Sequence, residues 1–265
     1  MAAAQERVRL TFLGTGTSFG VPQLGCGCDV CRSPDPRDQR TRVGAVVEMD
    51  DGTTLLIDTP PELRLQLLRA HIDHVDAVLF THGHADHTHG IDDLRAITAR
   101  RDLHLPMYGA RDTLDALARK FDYIFDDEIR PLPGTTKPQG RAIPITAGGS
   151  VRIGDSDVQA VALPHGPVTV FAYRIGALAY VTDAKVVPAE AIDMLRGARV
   201  LVVNALFRTA HPSHLSLPEA ITVARAVGAE RTYLTHLTHD NFHARLEAEL
   251  PPGIAPAFDG LTIAV

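Results

Sequence analysis

Val75-Asp76-Ala77-Val78-Leu79-Phe80-Thr81-His82-Gly83-His84-Ala85-Asp86-His87 is the stretch that decides the fold. Val75–Phe80 reads as a short buried strand, and it runs straight into four metal-ligand side chains within six positions. In a loop at a strand's exit, alternate residues can turn toward one point. His82 and His84 offer neutral imidazole nitrogens, the donors that zinc and similar ions prefer. Asp86 and His87 add an oxygen and a nitrogen on an adjacent side. Four such groups exceed one tetrahedral site that must stay open to water, so two adjacent metals are the simpler reading. The bland alternative, a solvated His-rich turn, sits poorly after so apolar a strand.

Around this loop the composition is ordinary for a globular chain. The sequence has 265 residues, 45% apolar and 22% charged, with 21 Gly, 18 Pro and no Trp. That excludes disordered, collagenous and membrane classes. A net charge of −6 argues against a broad basic face for nucleic acid. No apolar run approaches the roughly 18 residues a membrane helix needs. Met1–Arg9 has no apolar core and carries Glu6, so it does not read as a secretory signal and a cytoplasmic location is expected. Histidine is abundant, with 13 in the chain, and the three cysteines cluster at Cys26, Cys28 and Cys31. An odd, clustered set in a cytoplasmic chain is a poor disulfide framework and a good metal site.

Elements on either side follow the same grammar. Val8–Leu13 reads as a strand entering the turn Gly14-Thr15-Gly16-Thr17. Residues 20–42 have no period and form a long loop, which is uncommon unless something holds it. Val43–Glu48 and Thr54–Asp58 make a hairpin around Asp51-Gly52. Pro60 and Pro61 open a helix over Glu62–Ala70. Beyond the histidine loop come a helix near Asp92–Arg101, a strand at Met107–Tyr108, a helix over Arg111–Phe121 and an irregular Phe125–Gly149. Strands follow at Val151–Ile153, Val158–Leu163, Val170–Ile175 and Leu178–Thr182, then a helix at Pro188–Leu195 and a strand at Val200–Asn204. A helix at Leu217–Val227, a strand at Thr232–Leu237, a helix at Asn241–Leu250 capped by Asn241, and a strand at Leu261–Val265 complete the chain. Strand clusters followed by helices, twice over, suggest two packed sheets with helices outside, in one domain spanning residues 1–265.

Two metals need more ligands than one loop supplies. His165 follows Val158–Leu163, Asp183 follows Leu178–Thr182, and His236 ends Thr232–Leu237. Each alone is an ordinary residue; together, each at a strand exit, they favour ligation. The cysteine loop offers three thiolates, and a closed zinc site needs four ligands. His239, three residues beyond His236, is the fourth. If His236 points to the catalytic metals, His239 points away, and a zinc on Cys26, Cys28, Cys31 and His239 staples residues 20–42 to the loop bearing His236.

This pattern resembles the metallo-β-lactamase superfamily over essentially the whole chain. The resemblance implies an α/β fold, a four-layer αβ/βα sandwich with a dinuclear site at one edge. It implies that His82, His84 and His165 hold one metal, that Asp86, His87 and His236 hold the other, and that Asp183 bridges. Asp58, ending Leu55-Leu56-Ile57, matches the superfamily's upstream aspartate and would orient a ligand through a hydrogen bond. The family pattern leaves His89 as a surface residue.

Gly14-Thr15-Gly16-Thr17-Ser18-x-Gly20-Val21-Pro22, the CxCxxC loop, Pro36-Arg37, Gly90-Ile91-Asp92-Asp93-Leu94-Arg95 and the His236/His239 pair narrow the likeness. They are similar to the cyclic-phosphate phosphodiesterases of the bacterial carbon–phosphorus lyase pathway of phosphonate metabolism. That resemblance implies opening of 5-phosphoribosyl 1,2-cyclic phosphate to ribose 1,5-bisphosphate by a metal-bridging hydroxide, with 2′,3′-cyclic nucleotides as further substrates. It implies two catalytic divalent metals, with Mn²⁺, Zn²⁺ and Fe²⁺ all suited to the mixed ligands, and one structural Zn²⁺. His214 matches an extra active-site histidine and is the expected acid for the leaving oxygen, with His211 the lesser alternative. The substrate's second phosphate should want Arg or Lys. Arg42, Arg64, Arg95 and Arg208 are open candidates, and nothing in the sequence ranks them. The Gly-rich turn at Thr15–Gly20 lacks a P-loop lysine and reads as structural.

Competing functions on the same scaffold are a tRNA 3′-end endonuclease, a thioester hydrolase or β-lactamase, and a non-catalytic protein of pyrroloquinoline quinone biosynthesis. The acidic net charge and the lack of a long basic Gly-rich insert weigh against the first. The cysteine loop weighs against the second, and the intact HxHxDH motif against the third. The expected partner is a small phosphorylated substrate, with neither nucleic acid nor membrane; a homodimer is in keeping with such families.

Overall fold

Two seven-stranded sheets face each other across a shared apolar core. The computed structural model describes residues 8–265; residues 1–7, on which the reading of the N-terminus mostly rests, lie outside the described residues. The first sheet is laid down by β1 (Arg9–Gly14), β2 (Gly44–Glu48), β3 (Thr54–Ile57), β4 (Ala77–Leu79), β5 (Leu105–Gly109) and β6 (Gly140–Pro144). Helices α1 (Leu63–Arg69), α2 (Ala85–Thr88), α3 (Arg95–Arg101), α4 (Arg111–Lys120) and α5 (Asp122–Phe125) interrupt them. The second sheet comprises β7 (Ser150–Ile153), β8 (Ser156–His165), β9 (Val168–Ile175), β10 (Leu178–Tyr180), β11 (Val200–Asn204), β12 (Arg231–Thr235) and β13 (Ile254–Pro256). Its helices are α6 (Ala189–Leu195), α7 (Leu217–Val227) and α8 (His243–Glu249). The last strand, β14 (Thr262–Ala264), returns to the first sheet and pairs antiparallel with β1.

Each sheet is antiparallel in one half and parallel in the other. Strands β14, β1, β2 and β3 pair antiparallel, and β3 through β6 run parallel. Strands β7 to β10 pair antiparallel, and β10 through β13 run parallel. Parallel strands are covered on both faces, and their side chains divide by parity. Leu55 and Ile57 of β3 enter the core between the sheets, while Leu56 packs outward beneath α1, α3 and α4 with Leu63, Ile97 and Leu114. On the other side Val200 and Val202 point inward, and Leu201 and Val203 pack outward against α6 and α7. The four layers are therefore helices, sheet, sheet, helices, as the superfamily resemblance implied.

Three local features differ from the sequence reading. Phe125–Gly149 contains the edge strand β6, whose Gly140 and Pro144 mask its pattern, and β13 is likewise an unforeseen edge strand. Asn241 does not cap α8. The helix begins at His243 after Phe242, and the His243 amide donates to Asp38 Oδ1 at 2.7 Å. Asp38, from a distant loop, thus takes the role of a capping side chain, while Asn241 Oδ1 accepts from Arg208 Nε at 2.9 Å. By contrast, α7 carries a capping box of Ser216 and Glu219, with Gly228 ending it at φ 74°. Among the described residues, no helix is long and apolar enough to cross a membrane.

The edge that matters lies where strands of both sheets end. The Phe171 amide donates to Thr81 O at 2.8 Å, and Tyr173 Oη donates to Phe80 O at 2.6 Å. These bonds cross between the sheets and pin the exit of β4, where the histidine loop begins.

Candidate metal centre

Strand exits set the site. β3 leads into Asp58, β4 into the loop of His82 to His87, β8 ends at His165, β10 leads to Asp183, and β12 to His236. Asp58, Asp183 and His236 each adopt a left-handed backbone, at φ 61°, 57° and 57°. Non-glycine residues there are uncommon, and three at strand exits in one site mark a constrained geometry.

The Asp183 carboxylate is the hub. Its Oδ2 lies 3.1 Å from His214 Nε2, 3.5 Å from His236 Nε2, 3.9 Å from His165 Nε2 and 4.0 Å from His82 Nε2. Its Oδ1 lies 3.4 Å from His87 Nε2, which is also 3.6 Å from Asp86 Oδ2. Ligand atoms of His82, His84 and His165 lie within 4.8 Å of one another, and so do those of Asp86, His87 and His236. Asp183 joins His82 and His87 in a third group, and His165 and His214 in a fourth. All seven expected ligands therefore converge, and Asp183 stands between the two halves.

Several ring nitrogens have no partner within the protein. His82 Nε2, His87 Nε2 and both nitrogens of His236 are buried without a hydrogen bond. Buried polar atoms rarely stay unpaired, and lone pairs aimed at one point suit a cation. Opposite ring atoms are fixed from outside. His87 Nδ1 lies 2.7 Å from Asp58 Oδ2, and His165 Nδ1 donates to Ser213 O at 2.8 Å. Such bonds hold the tautomer that leaves Nε2 free to ligate. Asp58 is held in turn by the Thr81 amide and hydroxyl, at 2.8 and 2.7 Å.

Electrostatics agree with this geometry. Burial pushes His236 down to about 4 and His82 well below the usual imidazole range, so both are neutral donors at pH 7. For His87, burial is outweighed by Asp183, Asp58 and Asp86, and its pKa rises. Burial would raise Asp183, but His236, His87 and His214 hold it well below the usual carboxylate range. The same negative potential that raises His87 attracts divalent cations.

The second cluster is equally compact. His239 Nδ1 lies 3.3 Å from Cys26 Sγ and 3.5 Å from both Cys28 Sγ and Cys31 Sγ. The Cys31 amide donates to Cys28 Sγ and draws that thiol down to about 7, whereas burial lifts Cys31 to about 11. Three sulfurs and one imidazole nitrogen converging in this way match the donor set of a closed zinc site. The loop is also tied at its base, where Arg40 Nη1 donates to Thr15 Oγ1 and Ala257 O, and Leu237 N donates to Thr15 O. A side chain at Gly14 would meet Arg42 O at 2.0 Å, so the chain crosses closely as it enters the Gly-rich turn, whose Thr17, Ser18 and Phe19 go on to line a cavity beside the metal cluster.

Beside the metal cluster lies a cavity of about 380 Å³, lined by His84, Asp86, His165, Asp183, His214 and His236 among others. His214 and His211 both line the cavity. His89 is exposed and packs edge-on against Phe121, away from the site. None of Arg42, Arg64, Arg95 and Arg208 lines the cavity. Arg42 pairs with Glu62, Arg95 with Asp92, and Arg208 with Glu249. Thr81 and Ser213, which fix Asp58 and His165, escaped the sequence reading. Thr81 sits at the strand exit and was open to notice; a backbone carbonyl at Ser213 leaves no signal in sequence.

Comparison with known proteins adds the following. A family model described as the β-lactamase superfamily domain matches residues 53–237. A Porphyromonas gingivalis protein named octanoyltransferase is 39% identical over 259 residues, covering 96% of this chain and 51% of its own length. Coenzyme PQQ synthesis protein B of Methylobacterium radiotolerans is 31% identical over 153 residues, covering 48% of this chain and 50% of that protein. The chain thus spans about half the length of these curated relatives. A crystal structure described as a new diphosphatase from the PhnP family is 37% identical, with a TM-score of 0.90, over 98% of this chain and 97% of that one.

Proposed function

Because the chain belongs to the metallo-β-lactamase superfamily, we propose that it is a metal-dependent phosphodiesterase that opens a small cyclic phosphodiester of ribose. The observation that carries this reading is the convergence of seven ligand-type side chains on the Asp183 carboxylate, with buried imidazole nitrogens left unpaired around it. Its likeness to the PhnP-family diphosphatase supports phosphorus chemistry in particular. The name octanoyltransferase belongs to a protein about twice as long.

His82, His84 and His165 would hold one divalent ion, Asp86, His87 and His236 a second, and Asp183 would touch both. Two such ions supply Lewis acidity to the phosphoryl oxygens and a nucleophile from water near neutral pH. The protein's own contribution is orientation and proton handling. Asp58 and Ser213 O fix the rings of His87 and His165, so the substrate phosphorus meets a rigid array. His214 lines the cavity with Nε2 at 3.1 Å from Asp183 Oδ2 and Nδ1 at 2.9 Å from Ser213 Oγ. We assign it the proton that the departing ribose oxygen needs. The cluster of Cys26, Cys28, Cys31 and His239 would hold a structural zinc that anchors the His236 loop.

Phosphorus NMR tests the proposal. Protein loaded with Mn²⁺ is incubated with 5-phosphoribosyl 1,2-cyclic phosphate and, in parallel, with a 2′,3′-cyclic nucleotide. Conversion of either diester to a monoester is the expected result. No turnover of either, in protein holding two metals beside the cysteine-bound one, would overturn it.

A further inference from the structure

A separate cavity of about 480 Å³ opens on the outer face of the second sheet, at the end away from the metal cluster. Ser150 of β7, Gln159 of β8 and Arg174 of β9 stand opposite one another across the strands, and Arg152 faces Asp157 one step along. Alternate residues of these strands enter the core, as Val158, Ala160 and Tyr173 do, so this ladder points outward. The end of α6 closes one side with Met194 and Arg196. Val168, at the start of β9, lines the cavity beside the metal cluster, and the strand from there to Arg174 puts about 20 Å between the two sites.

Three guanidinium groups and one carboxylate line this cavity. Arg152 spans Asp157 and Asp155 at 3.6 and 3.9 Å, and Arg196 pairs with Asp193 at 2.6 Å, all with exposed side chains. Arg174 is different. It is half-buried, with Nη1 at 3.5 Å from Leu178 O. A Cβ at Gly197 would lie 3.8 Å from its Nη2, so the guanidinium sits against the turn that follows α6. Burial lowers its pKa from the ordinary arginine value, and no neighbouring carboxylate raises it again. A partly dried cation without a counter-charge is unfavourable, and a bound anion relieves it. The planar guanidinium fork matches phosphate oxygens, and Arg152 and Arg196 add charge on either side. Ser150 and Gln159 present polar groups for hydroxyls, Met194 an apolar one, and the volume is that of a small-molecule site. We propose that this cavity binds a small phosphate monoester of sugar-phosphate type, with Arg174 as the anchor of its phosphoryl group. The site is distinct from the metal centre and does not rest on the phosphodiesterase reading.

Met194 is a built-in reporter, being one of four methionines in the chain. Methyl NMR of zinc-loaded protein labelled at its methionine methyls follows it directly, with Met194→Leu assigning the signal. Ribose 5-phosphate, inorganic phosphate and sodium chloride are titrated in turn at equal ionic strength. Ribose 5-phosphate should move the Met194 signal saturably and at lower concentration than inorganic phosphate, while Met49 and Met107, packed in the two inner cores, stay in place. Chloride should move none of them. Arg174→Gln should weaken the response about tenfold or more, which is the effect of losing a charge-assisted hydrogen bond. Arg174→Lys, which keeps the charge without the fork, should recover part of it. Arg196→Gln, at an exposed position that the fold does not need, should weaken binding less than Arg174→Gln does. Circular dichroism identical to wild type shows each variant folded. No saturable shift of Met194, or the same shift with chloride, overturns the proposal. A response unchanged in both Arg174→Gln and Arg196→Gln does so as well, and equal affinity for phosphate and ribose 5-phosphate overturns the assignment to a monoester. Because the readout is a shift about 20 Å from the metals and not turnover, its failure would leave the phosphodiesterase reading untouched.

Discussion

Asp58 Oδ2 lies 2.7 Å from His87 Nδ1, and both side chains are buried. The carboxylate is one strand away from the ring it orients, and Thr81 bonds both of its oxygens. Loss of this carboxylate frees the His87 ring and strands two donors of Thr81. We expect Asp58→Ala to weaken metal binding about 10- to 100-fold. Asp58→Asn, which keeps one acceptor, should lose less. Metal retained after dialysis against a chelator series measures both. Wild-type retention in Asp58→Ala would reduce Asp58 to a strand-end residue.

His214 occupies the cavity wall between Asp183 and Ser213. If it supplies the leaving-group proton, His214→Ala should lower kcat by about 10²- to 10⁴-fold with both catalytic metals retained. A substrate with an acidic leaving group, such as a nitrophenyl phosphodiester, should lose much less. His214 also groups with His165 and Asp183 at ligand distances, so metal analysis is part of the experiment. Metal loss in the variant would make His214 a ligand instead.

What the sequence could show was what short-range pattern carries. An apolar strand ending in HxHxDH places four groups together by local geometry, and His165, Asp183 and His236 follow from the rule that strand exits share an edge, whereas Asp58 was legible only through the family resemblance. The cysteine spacing and His239 are legible for the same reason. Beyond that reach lay contacts made by folding itself. Whether Arg42 or Arg208 faces the cavity depends on Glu62 and Glu249, which claim them through tertiary pairing. The His243 amide takes Asp38 across more than two hundred residues, so the local cap signal at Asn241 misled. Strands β6 and β13 are short edge strands containing Pro, where alternation is weakest.

Cys28 and its neighbours bear on stability more than on chemistry. Residues 20–42 have few regular elements, and the sulfur–imidazole cluster fastens them to the loop after β12. Cys28→Ala should remove one zinc per chain and lower the thermal midpoint by several degrees or more. Excess Mn²⁺ should not restore it, because Mn²⁺ prefers oxygen and nitrogen donors. Zinc analysis together with a thermal melt decides this. An unchanged zinc content would remove these residues from metal binding.

His243 supplies a pH dependence that is separate from the catalytic metals. Its ring is buried beside Arg40, with Nδ1 at 3.3 Å from Arg40 Nη2. Burial first, and then the charges of Arg40 and Arg37, push its pKa down to about 4, with Glu247 and Asp35 opposing them. The folded protein therefore keeps a neutral imidazole where the unfolded chain, near its ordinary 6.5, takes up a proton. Unfolding binds that proton as pH falls, so stability should decline from about pH 6.5 to about pH 4 and this contribution should level off below. His243→Gln keeps a polar side chain that does not titrate. It should flatten that part of the stability curve, although the variant starts from a lower value at pH 7. Urea midpoints measured every half unit from pH 7 to pH 4, for wild type and variant, give the difference directly. Parallel curves would mean that His243 takes up its proton at the same pH in the folded and the unfolded chain, and that neither burial nor Arg40 shifts it.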